Sequence, residues 1–223
     1  MKRWLVRAGV AAGLVALWFL TPLLLRRMSV FRIRRVDVTG SRFLTAAEVA
    51  KVADLPPGTS LFDDVEPARR RVLGIRGVAR VTVHRRLPGA LEFEIEEFAP
   101  VALARSEGKL VLVDRRGRVL PFDPTRAPTD LPIGEADSAV AGLLERIQDA
   151  EPGFAQTVLS AERDRNVIVL ETSKHRLLFR VGATTKHIQG AAAVLTELTR
   201  RQLTVSEVDA RFDGRIIVRG RGA

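Results

Sequence analysis

A chain of 223 residues that is 46% hydrophobic and 28% charged has enough apolar surface for one or two ordinary domains, which excludes wholesale disorder. It contains no cysteine, so a disulfide framework, a thiolate zinc site and a cysteine nucleophile are all excluded. The formal net charge of +10 is not a nucleic-acid footprint: Lys2, Arg3, Arg7, Arg26 and Arg27 flank an uncharged segment, the rest is dispersed among Arg and Glu, and there is no Tyr to stack a base.

That segment, Ala8 to Leu25, is 18 residues without a charge. As a helix it reaches about 27 Å, close to the ~30 Å hydrocarbon core of a bilayer, and Arg7 and Arg26 can snorkel at its ends. Thr21-Pro22-Leu23-Leu24-Leu25-Arg26-Arg27 lacks a small-x-small cleavage site, so an uncleaved anchor is expected rather than a signal peptide. Charge does not give the orientation. Basic residues lie on both sides, and the count beyond the helix (Arg26, Arg27, Arg32, Arg34, Arg35) would keep the long region inside, yet long domains translocate largely regardless of charge. Gly9 and Gly13 form a GxxxG that would let a second membrane helix approach, although Gly and Ala are also ordinary in such helices.

Beyond the anchor, Phe31 to Thr39 reads as a strand closed by Gly40. Thr45 and Glu48 make a capping box for a helix starting at Ala46, with Leu44 placed to staple onto Val49 and an apolar face of Val49, Val52 and Ala53. Pro56-Pro57-Gly58 stops it, and Asp63 with Glu66 opens a second helix that turns Val65, Val72 and Leu73 inward and Arg69, Arg70 and Arg71 to solvent. Two alternating strands follow, Val78 to Leu87 and Leu91 to Glu97, around Pro88-Gly89-Ala90. Their parity sets Arg86 opposite Glu92 and His84 opposite Glu94 on the outer face. Strand, helix, helix, strand, strand makes a small sheet with two helices on one face, and it resembles a POTRA domain. Such a sheet has edges that can template a partner's strand.

From Pro100 the pattern becomes short strands with turn punctuation: Val101 to Arg105, Leu110 to Asp114 and Val119 to Phe122, then a loop rich in proline. Asp137 caps an amphipathic helix through Val140, Leu143, Leu144 and Ile147. Strands are expected at Thr157 to Arg163, Val167 to Thr172 and His175 to Val181, then a helix from Thr185 to Arg201 burying Ile188, Ala192, Leu195 and Leu198. Val205 to Phe212 and Arg215 to Arg219 close the chain as a hairpin around Asp213-Gly214, with the last strand expected at a sheet edge. The fold class is therefore α+β: residues 1–27 as cytoplasmic start and transmembrane helix, 28–99 as a POTRA-like domain, and 100–223 as a mostly antiparallel β domain with two helices.

Catalytic signatures are missing from the sequence. His84, His175 and His187 have no metal-ligand spacing, serines lie outside GxSxG, glycines sit at turns, and Asp114 and Asp209 have ordinary structural readings. No enzyme activity, cofactor, metal or small-molecule substrate is expected, only strand edges and apolar surface, which bind proteins.

The order of these parts resembles the bacterial cell-division family FtsQ/DivIB. The resemblance rests on Phe31 to Gly40 with Val36 and Val38, Leu61-Phe62, Val78 to Pro88 with Arg86-Leu87-Pro88, and Glu97 with Pro100. It continues through Leu112-Val113-Asp114, Gly117, Leu131-Pro132 and Val208-Asp209-Ala210-Arg211-Phe212. Arg76-Gly77 replaces the family's usual Pro-aromatic pair, and Phe212 stands where Tyr is common. The resemblance implies an inner-membrane scaffold at the division septum, N-terminus cytoplasmic and C-terminal domains periplasmic or extracellular. Its implied partners are FtsB-like and FtsL-like single-pass proteins and the septal wall synthesis machinery. It implies partner contacts at Arg211, Phe212, Ile216, Ile217 and Val218, with a second surface at Val83, Arg85 and Glu97. A POTRA-type chaperone or export accessory is the alternative reading, and an anchored wall enzyme a third.

Overall fold

The computed structural model describes residues 28–220. The expected membrane span at Ala8 to Leu25, with Gly9 and Gly13, lies outside them, and no helix among the described residues is long and apolar enough to cross a membrane. The chain divides into one unit that ends at Glu97 and another that begins at Phe98.

The first unit runs β1 (Arg35–Thr39), α1 (Ala46–Ala53), α2 (Glu66–Leu73), β2 (Val78–Arg86) and β3 (Ala90–Glu97). The sheet order is β1-β3-β2, with β1 parallel and β2 antiparallel to the central β3. Thr45 Oγ1 accepts from the Glu48 N–H while the Glu48 carboxylate accepts from the Thr45 N–H, so the predicted capping box starts α1. The helix stops at Asp54, in the left-handed region at φ 43°, before the prolines are reached. Arg71 donates to the carbonyls of Ala53 and Asp54, covering this C-terminus from α2. Arg71 therefore binds the neighbouring helix, whereas Arg69 and Arg70 share Glu66 on the outside.

The core of this unit joins Val49 and Ala53 of α1, Val65, Ala68 and Val72 around α2, and Leu91, Phe93 and Ile95 of β3. Val52 and Leu73, both expected inward, are exposed. Val49 and Ala53, four residues apart, hold the inward line of a short helix, and Val52 falls off it. The expected first strand is shorter than predicted. Ser29–Phe31 forms a 3-10 turn, Phe31 stacks edge-on against Phe62 at 5.2 Å, and Ile33 donates its N–H to the Thr59 carbonyl before β1 begins at Arg35. Gly40 ends β1 at φ 74°, where a Cβ would lie 2.6 Å from the Ile95 carbonyl oxygen, so only glycine fits.

The β2–β3 register differs from the expected one by a two-residue slide. Arg86 stands opposite Ala90 and His84 opposite Glu92, because the loop is Leu87-Pro88-Gly89. A slide of two keeps every side chain on its face. The predicted pairs therefore still form, on the diagonal: Arg86 Nε to Glu92 at 2.6 Å and His84 Nε2 to Glu94 at 2.8 Å.

The second unit contains β4 (Pro100–Ser106), β5 (Lys109–Asp114), β6 (Val119–Leu120), β7 (Ile133–Gly134), α3 (Ser138–Ala150), α4 (Pro152–Ala155), β8 (Val158–Asp164), β9 (Val167–Thr172), β10 (Arg176–Arg180), α5 (Thr185–Arg200), β11 (Val205–Phe212) and β12 (Arg215–Gly220). Its sheet order is β12-β11-β10-β9-β8-β7-β4-β5-β6. Asp137 caps α3 through the Ala139 and Val140 N–H groups, as its sequence signal predicted. Three short elements escaped prediction, a 3-10 turn at Pro124–Arg126, the single-turn α4 and the two-residue β7, which bridges β4 and β8 by parallel pairing. β10 and β11 are also parallel, joined by α5. The sheet is therefore mostly antiparallel, as expected, with three parallel pairs that were not, and two of these, β7–β8 and β10–β11, enclose helical connections. One face packs Ala161, Ile168, Leu170, Leu177, Phe179, Val208 and Ala210 against α3 and α5.

Candidate protein-binding edge

β12 pairs only with β11 and is the outermost strand at its end of the sheet among the described residues. The residues expected at a partner contact gather here. Phe212 and Val218 are 47% and 45% exposed, large apolar groups left in water. Ile216 packs inward against α5, where Gly190 leaves room: a Cβ there would lie 2.9 Å from Ile216 Cδ1. Ile217 faces the other way, opposite Asp209. Between α5 and the β11–β12 turn lies a groove of about 760 Å³ lined by His187, Gly190, Val194, Phe212 and Ile216. Sequence reading missed Gly190, although a glycine inside an otherwise regular helix is itself a signal of close packing.

Arg211 does not project freely. Its Nε and Nη2 donate to the two oxygens of the buried Asp209, at 2.8 and 2.6 Å, and its N–H also reaches Asp209 Oδ1. The Arg211 guanidinium holds the Asp209 carboxyl below its ordinary range despite burial, which pushes the other way, and Asp209 raises Arg211 in return. The Arg211 Cζ lies 5.7 Å from the centre of the Phe212 ring. Arg211 is therefore a fixed, partly neutralised platform beside an exposed aromatic. Alongside runs a ladder of alternating charge, Glu171, Arg176, Glu207 and Arg219, one residue from each of β9 to β12 on the open face. Arg219 is ion-paired to Glu207 and Arg176 lies 3.6 Å from Glu171.

A second unpredicted cluster closes the β11–β12 turn. Asp213 Oδ1 lies 3.0 Å from Arg180 Nη2 and 2.9 Å from Nε2 of the buried His187. His187 Nδ1 accepts the Thr184 N–H and hydroxyl, which makes His187 the third residue of a capping box for α5. His175 Nδ1 meets the Val205 carbonyl at 2.8 Å. Asp114 accepts from the Arg116 and Arg118 N–H groups and from the Arg118 guanidinium. Burial raises its pKa, but these bonds win and hold it below the ordinary value. Among the described residues no group of three His, Cys, Asp or Glu could hold a metal ion.

The second expected surface is dispersed. Val83 is half-buried against the core of the first unit, and Arg85 points to the same side, donating to the Leu61 carbonyl at 2.6 Å. Glu97 lies at the opposite end of the hairpin, across from Val78. Five residues separate Val78 from Val83, about 17 Å along a strand. The Glu97 carboxylate accepts from the N–H groups of Arg42, Phe43 and Leu44 and from the Ser41 hydroxyl, between 2.8 and 3.1 Å. It pins the β1–α1 loop, which is a structural use of the residue.

A β-α-α-β-β unit followed by a mixed sheet with a bare terminal edge defines the class as a POTRA-containing α+β protein. Residues 31–98 match the family model of a POTRA domain, FtsQ-type. The cell division protein FtsQ of Streptomyces venezuelae is 31% identical over 210 residues, covering 86% of this chain and 72% of that protein. FtsQ of Streptomyces collinus is 34% identical over 53% of this chain and 46% of its own length. The cell division protein DivIB of Bacillus cereus is 23% identical over 59% and 53%. The chain belongs to the FtsQ/DivIB family, and most of these matches span about half the length of the relatives.

Proposed function

We propose that this protein is a non-enzymatic scaffold of bacterial cell division. One membrane helix would anchor it, and the edge of β12 would dock a strand of an FtsB-like or FtsL-like single-pass partner, bringing septal wall synthesis proteins to the division site. The observation that carries the reading is the bare β12 edge, with Phe212 and Val218 exposed beside it and the α5 groove adjoining. An added strand would take its affinity from main-chain hydrogen bonds and its specificity from apolar anchors set in neighbouring pockets. Arg211, held by Asp209, offers Phe212 a rigid backing, so little side-chain entropy is lost on binding. The cell-division names of the relatives supply the setting. On the first unit, Val83 and Arg85 lie on β2, an edge strand of the small sheet where a second partner would meet them, while Glu97 anchors the β1–α1 loop.

Co-purification of the full chain with candidate FtsB-like and FtsL-like proteins tests the proposal. Wild type is expected to retain a partner, while Phe212→Ala and Val218→Asp lose it with unchanged thermal unfolding. Retention by both folded variants would overturn the edge as the docking site.

A further inference from the structure

The start of the described chain and the tip of the β2–β3 hairpin meet. The Gly89 carbonyl accepts the Arg34 N–H at 2.8 Å, and a Cβ on Gly89 would lie 2.8 Å from the Arg32 carbonyl oxygen and 3.7 Å from that of Val30. Around this junction Met28, Val30 and Leu87 are 49%, 40% and 67% exposed, and Leu87 is the most exposed large apolar residue described. Arg32 and Arg34 are exposed and have no acidic partner among the described residues; Arg34 donates to the Ser29 carbonyl. Arg85, on the same hairpin, binds the backbone carbonyls of Leu61 and Asp63 and has no acidic side-chain partner among the described residues. Arg86 is neutralised by Glu92 and Arg35 by Asp37.

Three exposed apolar side chains set among unneutralised guanidiniums make an interfacial surface, with apolar groups for the acyl boundary and cations for anionic headgroups. The chain itself says what lies opposite. Met28 is three residues past Leu25, the end of the uncharged segment, so it lies at most about 11 Å beyond it. We propose that this end of the first unit, Met28, Val30, Arg32, Arg34 and Leu87, docks onto the surface of the membrane that holds the anchor and recognises anionic phospholipid headgroups. The inference rests on the reading of Ala8 to Leu25 as a membrane anchor. It gives the arginines that follow the anchor a use that orientation by charge does not: they hold the unit down on the bilayer.

The absence of cysteine allows a clean test. Leu87→Cys in the full chain, labelled with an environment-sensitive fluorophore, is placed in nanodiscs of phosphatidylcholine alone or mixed with phosphatidylglycerol and quenched with neutral acrylamide. Leu203→Cys, 53% exposed on the second unit, is the control. The expected result is a blue shift and a severalfold lower quenching constant at position 87 in the anionic discs only. The effect is lost in 0.5 M salt, a concentration that roughly halves the screening length, and in Arg32→Glu/Arg34→Glu, with position 203 unchanged. Equal quenching at position 87 in the two lipids, in chains that co-elute with the discs, overturns the inference and leaves the anchor standing. Failure to co-elute with either disc overturns the anchor, and the inference with it.

Discussion

Asp209, buried, and Glu97, half-buried, are carboxylates with structural roles. Asp209 has its pKa lowered in the fold, chiefly by Arg211. Between the folded value and the ordinary ~3.9 the unfolded chain binds more protons, so stability falls as pH drops from about 5 through that window. Asp209→Asn is expected to flatten this acid limb in urea unfolding followed against pH. At pH 7 the variant should be less stable by about 1.5–3 kcal/mol, the range for a hydrogen bond to a charged group; a midpoint and acid limb unchanged from wild type would contradict the assignment. Glu97→Ala leaves the Arg42 and Phe43 N–H groups of the β1–α1 loop without their acceptor, while Leu44 keeps Ser41 Oγ, and a loss of about 1–3 kcal/mol is expected by denaturant titration. Neither role was legible in sequence. Asp209 and Arg211 are neighbours in a strand, but nothing in their spacing says that a carboxylate will be buried, and Glu97 bonds a loop more than fifty residues away.

At the scale of elements, local chemistry was legible and long-range pairing was not. The capping boxes and caps at Thr45 and Asp137, the Asp213-Gly214 turn and the β9 and β11 limits follow from adjacent residues, and the structure places them as read. The parallel partners of β7 and β10 depend on which distant strands meet, which periodicity does not encode. The hairpin slide at Leu87-Pro88-Gly89 preserved the face of every residue, so the predicted ion pairs survived an incorrect register. Gly40 has no room for a side chain. Gly40→Ala would place a methyl against the Ile95 carbonyl at a positive φ, costing about 1–3 kcal/mol for the strained conformation, measurable as a lower unfolding midpoint. An unchanged midpoint would mean that β1 and β3 can separate there.

For the whole molecule, two separate cores predict separable unfolding. Phe93 and Phe179 are each fully buried, one in each unit. Truncation to Ala at either should cost about 3–5 kcal/mol locally. Phe93→Ala is expected to lower protection from hydrogen exchange in residues 35–97 and leave 100–220 as in wild type, with Phe179→Ala giving the reverse. Uniform loss across both units would show that they unfold as one. In the chain the first unit follows the uncharged segment and the second carries the bare edge, a division that fits the proposed scaffold.

The proposed scaffold role turns on whether a partner strand is added to β12. Amide hydrogen exchange of the full chain, alone and with the FtsB-like protein that co-purifies, reads this directly at Arg215–Gly220. Strong new protection along β12 is expected in the complex, centred near Val218, with little change at the buried β10. A stable complex that leaves β12 exchanging as in the free protein would contradict it.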